Sequence, residues 1–265
     1  MKPPSRPRAD LRLVNGVPTH ARVWGAGPPL VIVPGLGCAA FCYDRLARAL
    51  APRFEVWAYD PPGHGRSGNW RSGDPPHPDV RLQDFTDHLA AWMDAARLRG
   101  ALVVGHSMGG EVAIDLAARY PAHPALLALL APTGLPDNPN VALQMLRLLA
   151  DAPREPLGLI ARVLPAYLRT GPRRMLRAAQ DQRAHQTAPL LRLVRAPVLV
   201  LGGTRDPVIS SRAIRTLCQY LPNARVGWVK GAHAFHYPSA REVARLIVAF
   251  AREFPPARRS ATLTS

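Results

Sequence analysis

Apolar residues are arranged along this chain in two alternating patterns. Leu30-Val31-Ile32-Val33 is a continuous apolar run, as expected of a strand covered on both faces of a parallel sheet. Further strands are read at Phe54 to Tyr59, Ala101 to Gly105, Ala125 to Leu130, Val198 to Leu201 and Ala224 to Val229. Residues 11–24 read as two short strands around Asn15-Gly16, the two-residue hairpin signal. Between the runs lie stretches with helical spacing. They span roughly Tyr43 to Leu50, Asp79 to Arg97, Met108 to Tyr120, Ile209 to Leu221 and Ser239 to Phe254. In the second of these, Leu82, Phe85, Leu89, Trp92 and Met93 recur at i, i+3, i+4 intervals, and Pro121 stops the third. Strands alternating with helices predict an α/β fold: a mostly parallel eight-stranded sheet with helices on both faces.

One segment departs from that alternation. Residues 134–196 carry no strand pattern, only helical stretches such as Val141 to Ala150 and Arg173 to Gln180, cut by Pro153, Pro156, Pro165, Pro172 and Pro189. The prolines predict short helices set at angles, a helical cap inserted after the sixth strand. Its apolar side chains, among them Leu143, Leu146, Leu159, Ile160, Leu164 and Tyr167, are expected to shield a cleft and bind substrate. The core is then 11–133 plus 197–254, with tails at 1–10 and 255–265.

Charge modifies this picture less than its size suggests. Lys+Arg is 34 against 18 Asp+Glu, a net +16, yet only Lys2 and Lys230 are lysines and the arginines are scattered. Without a helix-turn-helix, a zinc spacing or an aromatic-basic motif, no nucleic-acid partner is expected. Cys38, Cys42 and Cys218 are too sparse for a disulfide framework. No leader-like apolar segment opens the chain, and no apolar run reaches the ~18 residues of a membrane span. A soluble, cytoplasmic protein is the expectation; the sequence sets no oligomeric state.

The most informative stretch is Gly105-His106-Ser107-Met108-Gly109-Gly110, a G-x-S-x-G pentapeptide directly after an apolar strand and opening a helix. A sharp strand-to-helix turn exposes the serine, and small residues on both sides admit the close backbone approach that the turn requires. The competing reading is a plain strand-helix or phosphate-binding turn. A serine nucleophile needs a base and an orienting acid, in the chain order Ser, Asp/Glu, His. His233, behind Gly231-Ala232 and after the last strand, is the candidate base, with His236 as the alternative. His106 and His64 read as structural. Asp206, after the strand ending near Leu201 and Gly202-Gly203, is the candidate acid, with Asp137 as competitor. Backbone N–H groups of Met108 and Leu36 (Gly37 its neighbour) are the candidate oxyanion donors, and Cys38 is placed to line the pocket.

Together with the loop Asp60-Pro61-Pro62-Gly63-His64-Gly65-Arg66-Ser67, these segments resemble the α/β-hydrolase superfamily over about residues 11 to 254. The resemblance implies the cap between the sixth and seventh strands. It departs at the oxyanion loop, where Pro34-Gly35 stands in place of the usual His-Gly. It implies a serine hydrolase acting on a small-molecule acyl substrate, a carboxylic ester, thioester or lactone, through an acyl-enzyme. An acyltransferase or cofactor-free peroxidase on the same triad, or a non-catalytic ligand-binding relative, are the alternatives. No cofactor and no metal is implied.

Overall fold

The computed structural model describes residues 6–69, 81–134, 141–185 and 187–255. Its centre is an eight-stranded sheet: β1 (Arg8–Val14), β2 (Val17–Trp24), β3 (Pro29–Val33), β4 (Glu55–Tyr59), β5 (Ala101–His106), β6 (Pro124–Leu130), β7 (Val198–Gly203) and β8 (Ala224–Val229). Their order across the sheet is β1-β2-β4-β3-β5-β6-β7-β8. Only the β1/β2 and β2/β4 pairings are antiparallel. The β1–β2 turn is made by Asn15 (φ 48°) and Gly16 (φ 76°), both left-handed as the predicted hairpin requires. β1 begins at Arg8, inside the segment read from sequence as a tail, because its pairing with β2 continues out to Val23.

β5 and β7 are buried from end to end, so the sheet is covered on both faces there. The helices of the core are α1 (Asp44–Leu50), entered through a 3-10 turn at Ala40–Tyr43, α2 (Leu82–Ala95), α3 (Met108–Arg119), α8 (Ser211–Tyr220) and α9 (Ala240–Arg252). α1 packs on α9, and α2 on α3. α2 is shorter than its sequence pattern because Arg97 turns left-handed (φ 59°), while Asp79 lies outside the described residues.

Between β6 and β7 stand α4 (Val141–Asp151), α5 (Leu157–Thr170), α6 (Pro172–Ala184) and α7 (Thr187–Leu191). The prolines mostly start helices rather than cut them: Pro156 is the N-cap of α5 and Pro172 the first residue of α6. Pro165 is the exception to expectation. It sits inside α5, which continues through it. The residue four before it, Ala161, whose carbonyl a proline cannot donate to, is exposed to solvent. Of the apolar residues expected to face a cleft, Leu159 is buried and Tyr167 half-buried, whereas Leu146 and Leu164 point outward. No helix among the described residues is long and apolar enough to cross a membrane.

Parallel strands place the chain's working loops at one sheet edge, and the order reverses between β3 and β5. At that point β5 and α3 meet so closely that a Cβ on Gly105 would lie 2.7 Å from Gly110 Cα, and one on Gly109 would overlap the Val33 carbonyl. Gly105→Ala should therefore lower unfolding free energy by at least about 2 kcal/mol, the scale of overpacking against backbone. A melting temperature equal to that of the parent protein would contradict this packing.

Candidate active site

Ser107 sits where β5 becomes α3, with φ 53° and ψ −123°, a conformation rare for a residue with a side chain. The turn is held by hydrogen bonds from Ser107 N–H to the Leu130 carbonyl (3.0 Å) and from the N–H groups of Gly110 (2.9 Å) and Thr133 (3.2 Å) to the Ser107 carbonyl. The loop after β8 brings His233 across, with Nε2 3.1 Å from Ser107 Oγ. The loop after β7 supplies Asp206, whose Oδ2 is 2.9 Å from His233 Nδ1. The other oxygen, Oδ1, accepts from the N–H groups of Val208 (2.8 Å) and Ile209 (3.0 Å), which fixes the carboxylate's rotation. Asp206's side chain is fully buried and that of His233 nearly so.

The alternative residues are accounted for differently. His236 is buried and stacked on Tyr43, ring centroids 4.7 Å apart, and burial pushes its pKa down to about 3. Its place is behind the site, beside His106. Asp137 lies outside the described residues. His106 is bonded on both sides: Tyr43 Oη donates to Nδ1 (2.9 Å), and Nε2–H reaches the His233 carbonyl (3.3 Å). Tyr43 Oη in turn accepts from Gly35 N–H (2.9 Å). One chain of hydrogen bonds thus joins the β3 loop, the elbow and the His233 loop. His64 is buried, with Nδ1 3.0 Å from the Pro62 carbonyl, and stays neutral because burial lowers its pKa to about 4.

The β3 loop passes directly over the serine: a Cβ on Gly35 would lie 3.2 Å from Ser107 Cβ. The loop is a turn closed by Cys38 N–H to the Gly35 carbonyl (3.0 Å). Neither Leu36 N–H nor Met108 N–H has an acceptor among the described residues. The helical insertion reaches this loop, since Thr170 Oγ1 donates to the Gly37 carbonyl (3.3 Å) and the Tyr167 ring packs on Gly37. Asp60 anchors its far end, accepting from Ala40 N–H (2.6 Å), Arg66 N–H (3.0 Å) and His20 (2.8 Å). Cys38, just before the 3-10 turn, and Cys42, within it, are buried free thiols. No cluster of His, Cys, Asp or Glu able to hold a metal ion occurs among the described residues.

Three carboxylates near the site were not legible in the sequence. Asp151 at the end of α4 accepts from His233 N–H (3.4 Å), and Glu155 accepts from Ala234 N–H (2.7 Å). Both come from the insertion, some eighty residues earlier in the chain, so no local spacing announces them. Burial alone would lower the His233 pKa; the Asp206 carboxylate, with Asp151 and Glu155 behind it, outweighs that and holds the imidazole above its ordinary value. Glu111, in the first turn of α3, is fully buried and accepts from Thr133 (3.1 Å), Gln182 (2.6 Å) and Thr187 (2.6 Å). It ties α6 and α7 to the helix behind the serine, and burial pushes its pKa up to about 7. Two carboxylates one turn apart, Glu111 and Asp115, on the otherwise apolar first turns of the helix that opens at the elbow were the one sequence signal.

The alpha/beta hydrolase family model matches residues 30–246 of the chain. Poly(3-hydroxyalkanoate) depolymerase of Ectopseudomonas oleovorans is 27% identical over 251 residues, spanning 85% of this chain and 84% of that relative. Among solved structures, a bacterial membrane phospholipase A superposes with a TM-score of 0.79 at 22% identity, covering 95% of this chain and 87% of its own. The enol-lactonase from Burkholderia xenovorans LB400 gives a TM-score of 0.77 at 24% identity, over 92% of this chain and 100% of its own.

Two titrations check these environments. The imidazole of His233, followed by NMR in Ser107→Ala protein, should titrate above 6.5 and move down in Asp151→Asn/Glu155→Gln protein; an unmoved midpoint would remove the two carboxylates from its surroundings. Glu111, with its folded pKa raised to about 7, keeps its proton more tightly when folded. Its contribution is full below the unfolded value near 4.5 and is lost as pH rises through about 7, so stability should fall by up to about 3 kcal/mol between roughly pH 5 and 8. Glu111→Gln should flatten that slope in denaturant melts; an unchanged slope would contradict the assignment.

Proposed function

The chain belongs to the alpha/beta hydrolase family, and within it we propose a serine hydrolase that cleaves a carboxylic ester, thioester or lactone through an acyl-enzyme. The observation that carries this reading is the unbroken relay from Asp206 to His233 (2.9 Å) to Ser107 Oγ (3.1 Å) at one sheet edge. As Ser107 Oγ attacks the carbonyl carbon, its proton passes to His233 Nε2. Asp206 keeps the other proton on Nδ1 and stabilises the imidazolium. The carbonyl electrons move onto oxygen, which settles between the N–H groups of Met108 and Leu36; removal of one such donor typically costs about 10²–10³ in rate. The imidazolium then gives its proton to the leaving alkoxide or thiolate, and water repeats the sequence in reverse to free the acid and Ser107.

In this reading α4 to α7 form the cap. Tyr167 and Thr170 against Gly37, and Glu111 with Gln182 and Thr187, seat it over the oxyanion loop and behind the nucleophile. The similar proteins above, a poly(3-hydroxyalkanoate) depolymerase and an enol-lactonase, support ester chemistry. Three free thiols support a reducing, cytoplasmic setting.

A fluorophosphonate should label Ser107 stoichiometrically, and a panel of esters varying in acyl length should be turned over. Ser107→Ala and His233→Ala should each abolish turnover, the double variant being little worse than either, because both losses disable one step. Asp206→Asn should cost about 10⁴-fold, the scale of a wrong imidazole tautomer. Retained activity in His233→Ala, or labelling that persists in Ser107→Ala, would overturn the reading.

A further inference from the structure

The helical insertion carries most of the large exposed apolar side chains among the described residues. On α5, Leu157, Ile160, Leu164 and Leu168 recur at intervals of three and four residues and form one stripe. Leu157 is 83% exposed and Leu168 74%. Ala161 and Pro165 are exposed beside the stripe, and α5 contains no carboxylate at all. Leu146 and Leu149 add exposed apolar surface on α4, and both α4 and α5 pack on α6, which exposes Leu176. Contiguous apolar area of this kind on a folded chain marks a contact surface.

Charge identifies the partner. Residues 134–196 carry ten arginines and no lysine against Asp137, Asp151, Glu155 and Asp181. Each described carboxylate among these is spent on the core: Asp151 on His233 N–H, Glu155 on Ala234 N–H, Asp181 on Leu82 N–H. Arg169 and Arg173, exposed at the α5–α6 junction, pair with no carboxylate among the described residues. An apolar stripe rimmed by unpaired cations complements an anionic lipid surface. A second copy of this chain would bring the same arginines against each other.

We propose that the outer face of α5, with the exposed leucines of α4 and the arginines at the start of α6, docks on an anionic lipid surface. The face lies on the insertion that reaches the oxyanion loop. Resting on the serine-hydrolase reading, this names the substrate class as acyl esters presented at that surface, entering beside the cap.

Binding is measured by co-sedimentation of the full chain carrying Ser107→Ala with vesicles of phosphatidylcholine, alone and mixed with phosphatidylglycerol. The protein should bind the mixed vesicles, bind the neutral ones far less, and be released by salt. Leu157→Glu/Leu168→Glu should weaken binding by at least about tenfold. With the serine restored, that variant should keep its melting temperature and its turnover of a soluble short-chain ester. Arg169→Gln/Arg173→Gln should reduce the preference for anionic vesicles. Absence of binding to mixed vesicles at low salt, equal binding by the leucine variant, or a concentration-dependent dimer that this variant dissolves would each overturn the proposal. Because binding is read without turnover, failure of the hydrolase reading would appear separately, as loss of soluble-ester activity with vesicle binding intact.

Discussion

The structure depends on how close β5 and α3 come at Ser107. A strand can hand over to a helix this sharply only if the residues two before and two after the turn lack side chains, and Gly105 and Gly109 meet that demand against Gly110 and the Val33 carbonyl. The strained serine conformation is then held by backbone hydrogen bonds to β6 and to the segment leaving it. Because β5 lies next to β3 and β6, the same contact sets where the loop after β3 and the root of the insertion must pass.

The loops that meet over the elbow are joined to one another as well as to the sheet. Tyr43 accepts from Gly35 and donates to His106, and His106 reaches the carbonyl of His233. Every group in that chain is buried and satisfied, which makes it stiff in a medium of low polarity. His236, stacked on Tyr43, fills the space behind. In the loop after β3, where Pro34 precedes Gly35, support comes through that chain of hydrogen bonds by way of Tyr43.

Elements defined by short-range pattern were readable from sequence. The buried strands are unbroken apolar runs, the Asn15-Gly16 hairpin is a two-residue rule, and Ser107, Asp206 and His233 each follow a strand end. What escaped was set by contacts between distant segments. Asp151 and Glu155 touch the His233 loop only because the insertion folds back on it. Pro165 reads as a break, but the lost hydrogen bond falls on a wet helix face and is tolerated. The leucines of α5 have helical spacing whichever way the helix is rotated, and such spacing does not tell which side faces water. Asp60 shows the converse, its loop recognisable in sequence and its three hydrogen-bonded partners visible only when folded.

The pairing of β6 with β7 has a consequence for how the chain is made. Leu130 and Val198 end and begin those strands, so their ladder cannot close until the whole insertion has left the ribosome. At equilibrium the detour costs little, since each doubling of a connection adds only about 0.6 kcal/mol of closure entropy. In time it matters more. The part holding Ser107 is complete early, with the hydrogen-bonding edge of β6 bare, while the part supplying Asp206 and His233 arrives last. During synthesis Ser107 therefore precedes the two residues it is hydrogen-bonded with in the folded chain, and the nascent chain's most exposed liability is a sheet edge waiting for its neighbour.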